Sequence, residues 1–194
     1  MTEQKTLVLT GASRGIGHAT VKRFGAEGWR VLTCSRHPFD PRCPWPNGEA
    51  NHVQIDLASP DKTIAALEGI KKTLGGKLHA LVNNAGVVST QPASAVSLSD
   101  WNTTLAINLT APMVLSQRVL PGMSAKGWGR IVNVSSISGV RAGTGRLAYG
   151  SSKAALIAMT GQFAIECAER GITVNAIAPG FVDTPMIRTL HGSS

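Results

Sequence analysis

The sequence has few charged and aromatic residues. Only 15% of its 194 residues are Asp, Glu, Lys or Arg, 5% are Phe, Trp or Tyr, and the chain contains a single tyrosine. Soluble domains usually carry about 25% charged residues, so this chain has a large apolar fraction to bury. A disordered chain is excluded, because 43% of the residues are hydrophobic.

Cysteine is scarce, and long apolar runs are missing. Cys34, Cys43 and Cys167 form no C-x-x-C pair, so we expect neither a disulfide framework nor a metal site, and the cysteine usage favours a reduced, cytoplasmic protein. No stretch approaches about 18 consecutive apolar residues. The first residues lack the basic start, the apolar run and the cleavage site of a signal peptide. We therefore expect no membrane partner.

Acidic residues are outnumbered, with 11 Asp and Glu against 19 Lys and Arg, which gives a net charge of +8. The basic residues are dispersed, their longest run is Lys71-Lys72, and no aromatic residues interleave with them. A nucleic-acid-binding module is therefore supported by net charge alone, and we expect no nucleic-acid partner. The excess charge does favour anionic ligands.

Short β-branched runs alternate with helical stretches along the chain. The runs are apolar throughout, which is typical of strands covered by helices on both faces. Alternation of strands and helices predicts a single α/β domain over residues 1–194, with a doubly wound parallel sheet. Residues 36–51, rich in Pro, Asn and Gly, predict a loop. The predicted strands are 6–10, 30–34, 52–55, 80–83, 130–134 and 173–178, and the predicted helices are 15–27, 60–74, 98–126 and 148–170.

A glycine-rich turn follows the first predicted strand and opens the first predicted helix. Its glycines allow a tight turn and close approach of a ligand to the backbone, and the helix start offers free N–H groups to a pyrophosphate. A plain turn is the alternative, but the place between strand and helix favours nucleotide binding. The residues predicted to bind there are Gly11, Ser13, Arg14, Gly15, Ile16 and Gly17.

Further motifs stand at the ends of the later strands. They are Asp56-Leu57, Asn83-Asn-Ala-Gly86, Asn108, Ser136, Tyr149-x-x-x-Lys153 and Pro179-Gly180. Together with the glycine turn, they resemble the short-chain dehydrogenase/reductase family over the whole chain. The resemblance implies a Rossmann-like fold, an NAD(P) cofactor and an oxidoreductase that interconverts a carbonyl compound and an alcohol.

The chemistry of the Tyr149-x-x-x-Lys153 motif follows from its residue types. The two side chains lie on one face of a predicted helix. A free phenol loses its proton near pH 10, and a neighbouring ammonium stabilises the phenolate, which suits acid–base catalysis at neutral pH. Ser136 can donate a hydrogen bond to the substrate oxygen, with Ser135 as the rival hydroxyl. The alternative for Tyr149 is an aromatic residue without a catalytic role.

The resemblance also implies roles for single residues. Asn83 and Asp56 would line the adenosine side of the cofactor, Lys153 would also contact the nicotinamide ribose, Thr184 would contact the carboxamide, and Asn108 would organise a proton relay. In the alternative interpretation, Asp56 caps a turn and Asn83 satisfies local backbone groups. The other residues expected at the cofactor are Leu57, Ala85, Gly86, Tyr149, Pro179 and Gly180.

The end of the second predicted strand indicates which dinucleotide is preferred. NAD-specific folds place Asp or Glu there to hold the ribose 2′-hydroxyl, whereas this chain has Ser35 followed by Arg36. A guanidinium suits a 2′-phosphate, Ser35 offers a small donor, and Arg14 approaches from the glycine turn, as basic residues do in NADPH-using relatives. We therefore expect NADP(H) to be preferred over NAD(H). Two solvated surface arginines are the alternative.

The end of the chain and the long helices give the remaining expectations. Family members usually continue beyond the segment matching 173–184, so the usual last helix and strand are expected to be lacking. The resemblance implies a homodimer or homotetramer that pairs through helices 98–126 and 148–170. Pro112 predicts a kink beside Asn108. The substrate is a small carbonyl or alcohol compound. A 3-oxoacyl-acyl-carrier-protein reductase, a sugar, polyol or xenobiotic reductase, and a nonenzymatic nucleotide sensor remain open.

Overall fold

The protein folds around one parallel sheet of six strands, in the order β3-β2-β1-β4-β5-β6. The structure, a computed structural model, describes residues 4–41, 45, 47–75 and 77–191, so Cys43 lies outside the described residues. The strands are β1 (Thr6–Thr10), β2 (Arg30–Ser35), β3 (His52–Gln54), β4 (Ala80–Asn83), β5 (Gly129–Val134) and β6 (Ile172–Ile177). All six predicted strands are confirmed, with bounds that differ by at most one residue.

Helices cover both faces of the sheet. They are α1 (Gly15–Ala26), α2 (Pro60–Thr73), α3 (Leu98–Leu105), α4 (Ala111–Ala125), α5 (Leu147–Cys167) and α6 (Pro185–His191), with short 3₁₀ turns at Ala93–Ala95, Ile137–Gly139 and Ala168–Arg170. α6 was not predicted from the sequence. The helix predicted over residues 148–170 includes the last 3₁₀ turn, which ends at Gly171 with a φ of 69°, in the left-handed region that favours glycine.

The two faces of the sheet bury separate hydrophobic clusters. Along β1, Leu7 and Leu9 point to the face covered by α1, and Val8 points to the face covered by α2 and α4, since successive side chains of a strand alternate. All five residues of β1 are buried. Burial on both faces explains the apolar runs in the sequence and fixes the strand ends that carry the polar motifs.

The helix predicted over residues 98–126 is divided in the structure. One π-helical turn, Ala106–Thr110, separates α3 from α4, and within it the N–H of Ala111 donates to the carbonyl oxygen of Ala106, five residues earlier. The predicted helical span is confirmed, but its prediction as one regular α-helix was wrong. The kink at Pro112 stays a prediction. Pro112 has no N–H and its ring crowds the Asn108 carbonyl, so the backbone widens locally instead of continuing as a regular α-helix.

The strand order places a crevice at the carboxyl ends of the strands. β1 lies between β2 and β4, so the chain leaves β1 towards one side of the sheet and later returns to the other side. In open α/β sheets, ligands bind at this switch point. The described part of residues 36–51 forms turns without a helix or strand, as predicted. The expected absence of the family's last helix and strand stays a prediction.

Among the described residues, no helix is long and apolar enough to cross a membrane.

Candidate active site

A cavity of about 590 Å³ opens at the carboxyl ends of the strands. Segments that follow all six strands contribute to its walls, together with the start of α5. Of the residues predicted from the sequence, those that line it are Gly11, Ser13, Arg14, Gly15, Ile16, Ser35, Arg36, Asp56, Leu57, Ala85, Gly86, Ser136, Tyr149, Lys153, Pro179, Gly180 and Thr184. The topology thus brings most of the predicted site into one cavity.

The glycine turn is packed too closely for side chains. Gly11 and Gly15 have φ angles of 70° and 57°, in the left-handed region that favours glycine. A Cβ atom at Gly17 would lie 2.2 Å from the carbonyl oxygen of Gly11. Gly17 itself does not line the cavity; it allows α1 to begin directly against the turn, where the first N–H groups of the helix have no helical partner.

Asn84 and Thr10 tie the glycine turn to the segment after β4. The Asn84 amide donates to the carbonyl oxygens of Thr10 (3.1 Å) and Gly11 (2.9 Å). The Thr10 hydroxyl oxygen accepts from the backbone N–H groups of Asn84 (3.1 Å) and Ala85 (3.0 Å). These four hydrogen bonds hold the walls of the cavity on either side of the switch point at a fixed separation.

Asn83, which was expected at the cofactor, points away from the cavity. Its side chain is 2% exposed and donates to Asn133 Oδ1 at 2.8 Å and to Ser116 Oγ at 3.3 Å. This expectation is corrected, because Asn83 is the last residue of β4 and its side chain falls on the covered face of the sheet. The next residue, Asn84, lines the cavity instead. The Asn-Asn pair in the sequence was the signal for it.

At the β2 end of the cavity, Arg36 is exposed and Ser35 is buried. The Ser35 hydroxyl donates to the carbonyl oxygen of His37 at 2.8 Å, and His52 Nε2 lies 2.9 Å from the same oxygen. The Ser35 proton is therefore already used within the chain. These bonds fix the backbone around Arg36, whose guanidinium is the group at this end that can meet an anion.

Asp56 both caps a turn and lines the cavity, the two roles considered for it from the sequence. Its Oδ1 accepts from the backbone N–H of Ala58 at 3.0 Å, which makes the predicted turn, and the residue also lines the cavity beside Leu57. The N-cap of α2 is Ser59, whose hydroxyl oxygen accepts from the N–H of Lys62. A carboxylate held this way at the end of β3 keeps a second oxygen for a ligand.

Tyr149 and Lys153 project from the first turns of α5 into the other end of the cavity. The Lys153 ammonium lies 5.8 Å from the centre of the Tyr149 ring, as the i, i+4 spacing predicts. Lys153 is 3% exposed, and its Nζ donates to the carbonyl oxygen of Val134 at 2.7 Å. Burial lowers the pKa of Lys153 from 10.5 to about 8.

Ser136 and Ser135 differ in where their hydroxyl protons go. Ser135 Oγ donates to the carbonyl oxygen of Lys153 at 2.8 Å, so its proton is committed to the protein. Ser136 Oγ accepts the N–H of Ser138 at 3.1 Å, which leaves its own proton to be donated to a ligand. Both residues border the cavity, but Ser136 has the free donor that an oxyanion requires.

Asn108 lies behind the cavity wall, in the π-helical turn. Its side chain is fully buried, accepts from the N–H of Val87 at 2.9 Å, and donates to the Val87 carbonyl and to Ser152 Oγ, both at 3.0 Å. A Cβ atom at Gly86 would lie 3.4 Å from both Asn108 Oδ1 and Lys153 Nζ. Asn108 is thus a neighbour of the lysine but does not itself line the cavity.

The segment after β6 forms the wall of the cavity next to the glycine turn. The carbonyl oxygen of Pro179 accepts from the N–H of Ile137 at 2.9 Å. Thr184 reaches the turn itself, since a Cβ atom at Gly15 would lie 3.1 Å from its Cγ2. α6 then starts at Pro185, and its residues Met186 and Ile187 add apolar surface to the wall.

The residues present fit a dinucleotide cofactor. The glycine turn and the free N–H groups of α1 can bind a pyrophosphate. Arg36 and Asp56 could then hold the adenosine end of the cofactor, and Thr184 and Lys153 could hold the nicotinamide end. The Tyr149 phenol and the Ser136 hydroxyl line the same cavity as Lys153. The described residues contain no group of three or more His, Cys, Asp or Glu that could hold a metal ion.

Comparison with known proteins agrees with this arrangement. The short chain dehydrogenase family model matches residues 5–192. Protein FixR of Bradyrhizobium diazoefficiens is 46% identical over 197 residues, which cover 95% of this chain and 69% of that protein. The 3-oxoacyl-(acyl-carrier-protein) reductase FabG of Vibrio cholerae is 34% identical over 191 residues, with 97% of this chain and 78% of that protein covered.

Solved structures of nicotinamide-binding proteins share the fold of this chain. An oxidoreductase of the short chain dehydrogenase/reductase family from Brucella ovis, in complex with a partially ordered NAD, superposes with a TM-score of 0.86 and 46% identity over 93% of this chain and 85% of that chain. ElxO with NADP bound superposes with a TM-score of 0.87 and 29% identity over 96% of this chain and 77% of that chain. The chain therefore belongs to the short-chain dehydrogenase family and is an oxidoreductase that acts on CH–OH groups with a nicotinamide cofactor.

Proposed function

We propose that this protein is an NADP(H)-dependent reductase that interconverts a ketone or aldehyde and an alcohol, with Tyr149 as general acid and base. The observation that carries the proposal is the placement of Tyr149, Lys153 and Ser136 around one end of the cavity. The bound cofactor supplies or accepts the hydride. Side chains of this protein hold the substrate oxygen and transfer the proton.

In the direction of reduction, Ser136 donates a hydrogen bond to the carbonyl oxygen of the substrate and Tyr149 gives it a proton. The negative charge that develops on this oxygen is stabilised by both donors. The Lys153 ammonium then faces a phenolate, and their attraction lowers the energy of that state. The Asn108 carbonyl, which lacks its α-helical donor because residue 112 is proline, is available to hold a water that returns the proton.

The preference for NADP(H) rests on charge at the β2 end of the cavity. Arg36 and Arg14 border it, and no carboxylate stands at the end of β2, where an NAD-specific fold usually has one. A 2′-phosphate would meet guanidinium groups there. Relatives of known structure hold either NAD or NADP, so the family alone does not decide the preference.

Reduction of a 3-oxoacyl thioester is the second candidate for the activity. It is favoured by the 34% identity to the Vibrio cholerae 3-oxoacyl-(acyl-carrier-protein) reductase over 97% of this chain. Both candidates use the same Tyr149 and Ser136 chemistry and differ only in the substrate. We also propose a homodimer or homotetramer through α4 and α5, and a reducing compartment such as the cytoplasm, in which the buried thiols of Cys34 and Cys167 stay free.

The proposed function is tested by cofactor titration and by turnover. NADPH and NADH binding are measured at fixed ionic strength, and oxidation of NADPH is followed with a panel of ketones, aldehydes and acetoacetyl-coenzyme A. We expect tighter binding of NADPH, turnover of at least one carbonyl compound, and loss of turnover in Tyr149→Phe with unchanged NADPH affinity. Equal affinity for the two cofactors would refute the preference, and a Phe variant that keeps more than a few per cent of kcat would refute the role of Tyr149.

A further inference from the structure

Two arginines at the substrate end of the cavity have no partner among the residues that the structure describes. Arg141 and Arg146 both line the cavity, on the segment that runs from Ser136 to Tyr149. Neither side chain makes a hydrogen bond or an ion pair with a described residue. Arg146 is half-buried and Arg141 is exposed. Two free guanidinium groups at a cavity wall are a strong source of positive potential.

Among the described residues that line the cavity, no acidic side chain follows β5 beside Arg141 and Arg146. Among the described residues that line the cavity, Asp56 is the one carboxylate, and it follows β3 on the far side of the sheet. Ser136, Arg141 and Arg146 follow β5. With neighbouring strands about 4.8 Å apart, the ends of β3 and β5 are separated by four strand spacings, or about 19 Å.

Given the function proposed above, the cofactor supplies no anion that Arg141 and Arg146 could bind. Its phosphates belong to the glycine turn and to the end of β2, where Arg14 and Arg36 stand. The reduced nicotinamide ring, which would deliver its hydride to the substrate carbon beside Tyr149, carries no negative charge. The anion that Arg141 and Arg146 would bind therefore has to come with the substrate.

The backbone around these arginines is held in place. The N–H of Gln91 donates to the carbonyl oxygen of Gly145 at 3.3 Å, and the Gln91 side chain donates to Asp100 Oδ2 at 3.0 Å. Arg146 is the N-cap residue of α5, three positions before Tyr149. Residues at this spacing are neighbours on a helix, with Cβ atoms about 5–6 Å apart.

We propose that the physiological substrate is a small oxo acid or hydroxy acid, whose carboxylate binds Arg146 and Arg141 while its carbonyl or hydroxyl group meets Tyr149. The short distance along α5 places the anion only a few carbon atoms from the reacting carbon. The intervening carbon chain would contact the apolar part of the wall, which includes Val88, Ile137, Phe181, Met186 and Ile187. In reduction, the ketone carbon gains a hydride from the reduced cofactor, the oxygen gains the Tyr149 proton, solvent reprotonates Tyr149, and the carboxylate is unchanged.

The test compares 4-oxopentanoate with its uncharged methyl ester, and both with acetoacetyl-coenzyme A, in steady-state assays with NADPH. In the unmodified protein, we expect kcat/KM for the acid to exceed that for the ester by at least tenfold. Arg146→Gln should lower kcat/KM for the acid by roughly 10- to 150-fold, the effect of losing one charged hydrogen bond, and the acid-to-ester ratio should fall towards one. Arg118→Gln, an exposed arginine of α4 outside the cavity, is the matched control and should leave both values unchanged.

A binding measurement keeps the inference separate from the proposed function. Calorimetry measures 4-oxopentanoate and its methyl ester on Tyr149→Phe saturated with NADPH, with and without Arg146→Gln, so no turnover is needed. Preference for the acid that is lost with Arg146→Gln supports the inference even if no carbonyl compound tested is reduced. Equal binding of acid and ester, or a preference for acetoacetyl-coenzyme A that Arg146→Gln leaves intact, overturns it while leaving the reductase function standing.

Discussion

The ammonium of Lys153 donates a 2.7 Å hydrogen bond to the carbonyl oxygen of Val134, the last residue of β5. A lysine that is 3% exposed and bound to a neutral carbonyl carries its charge at a cost. That cost is why burial lowers the pKa of Lys153 to about 8. The fold thus holds a cation beside Tyr149 that becomes more favourable as soon as an anion, such as a phenolate, forms next to it.

The buried ammonium predicts a characteristic dependence of stability on pH. Below pH 8, both the folded and the unfolded chain hold the Lys153 proton, and the folded chain bears the cost. Between pH 8 and 10.5, the unfolded chain still binds the proton and the folded chain does not, so stability rises with pH. Each tenfold change in proton affinity is worth about 1.4 kcal/mol, so the gain between pH 7 and pH 10 is about 2–3 kcal/mol.

Lys153→Met removes the pH-dependent contribution of the buried ammonium to stability. Urea unfolding is measured from pH 7 to pH 10 for both proteins, and the free energy of unfolding of the unmodified protein should rise relative to that of the variant by about 2–3 kcal/mol. Lys126→Met, which changes an exposed lysine at the end of α4, is the control and should show no such trend. A constant difference between the unmodified protein and Lys153→Met across this pH range would contradict the buried charge.

The two serines after β5 should separate catalysis from stability. Ser136→Ala removes the donor that faces the substrate oxygen, and we expect kcat to fall by about 100- to 1,000-fold, with little change in stability. Ser135→Ala removes the hydrogen bond to the Lys153 carbonyl, and we expect a loss of stability of about 1 kcal/mol with a smaller effect on kcat. Assays of kcat and urea unfolding on both variants check this, and the reverse pattern would assign the catalytic hydroxyl to Ser135.

Pro112 and Pro121 form a matched pair in α4. Pro112→Ala restores an N–H that can bond the Asn108 carbonyl, so we expect the π-helical turn to relax towards α-helix and kcat to fall. Pro121 lies on the exposed face of the same helix, and Pro121→Ala should leave kcat unchanged. The pH dependence of kcat is measured for both. If Pro112→Ala alters neither kcat nor its pH profile, the π-helical turn serves packing only.

Cofactor preference should follow the charge at the end of β2. Arg36→Ala removes a guanidinium from the site proposed for the 2′-phosphate, so NADPH should bind roughly 10- to 150-fold more weakly, while NADH binding changes little. Adding Ser35→Asp supplies a carboxylate for a ribose hydroxyl and should shift the preference towards NADH. Fluorescence titration at fixed ionic strength measures both cofactors, with Arg118→Ala as control. An equal loss of affinity for NADPH and NADH would show that Arg36 does not bind the 2′-phosphate.

Local patterns in the sequence were sufficient to predict the strands and the shared helix face of Tyr149 and Lys153. The centre of β1 is apolar because both faces of the sheet are covered, so the ends of β1, and the glycine motif that follows it, could be predicted from the sequence. Tyr149 and Lys153 share a helix face through the fixed 3.6-residue period of an α-helix. These features depend on residues that are close together in the chain, so they can be predicted from the sequence.

Other features were decided only by packing between distant segments. Asn83 faces Asn133 and Ser116 while Asn84 faces the glycine turn, and the sequence shows only two identical residues side by side. His52, on the neighbouring strand, places its Nε2 atom 2.9 Å from the carbonyl oxygen of His37, which also accepts from Ser35. The pKa of Lys153 depends on burial beneath segments far along the chain. Hydrogen-bond partners and desolvation arise from contacts across the sheet, and no local pattern encodes them.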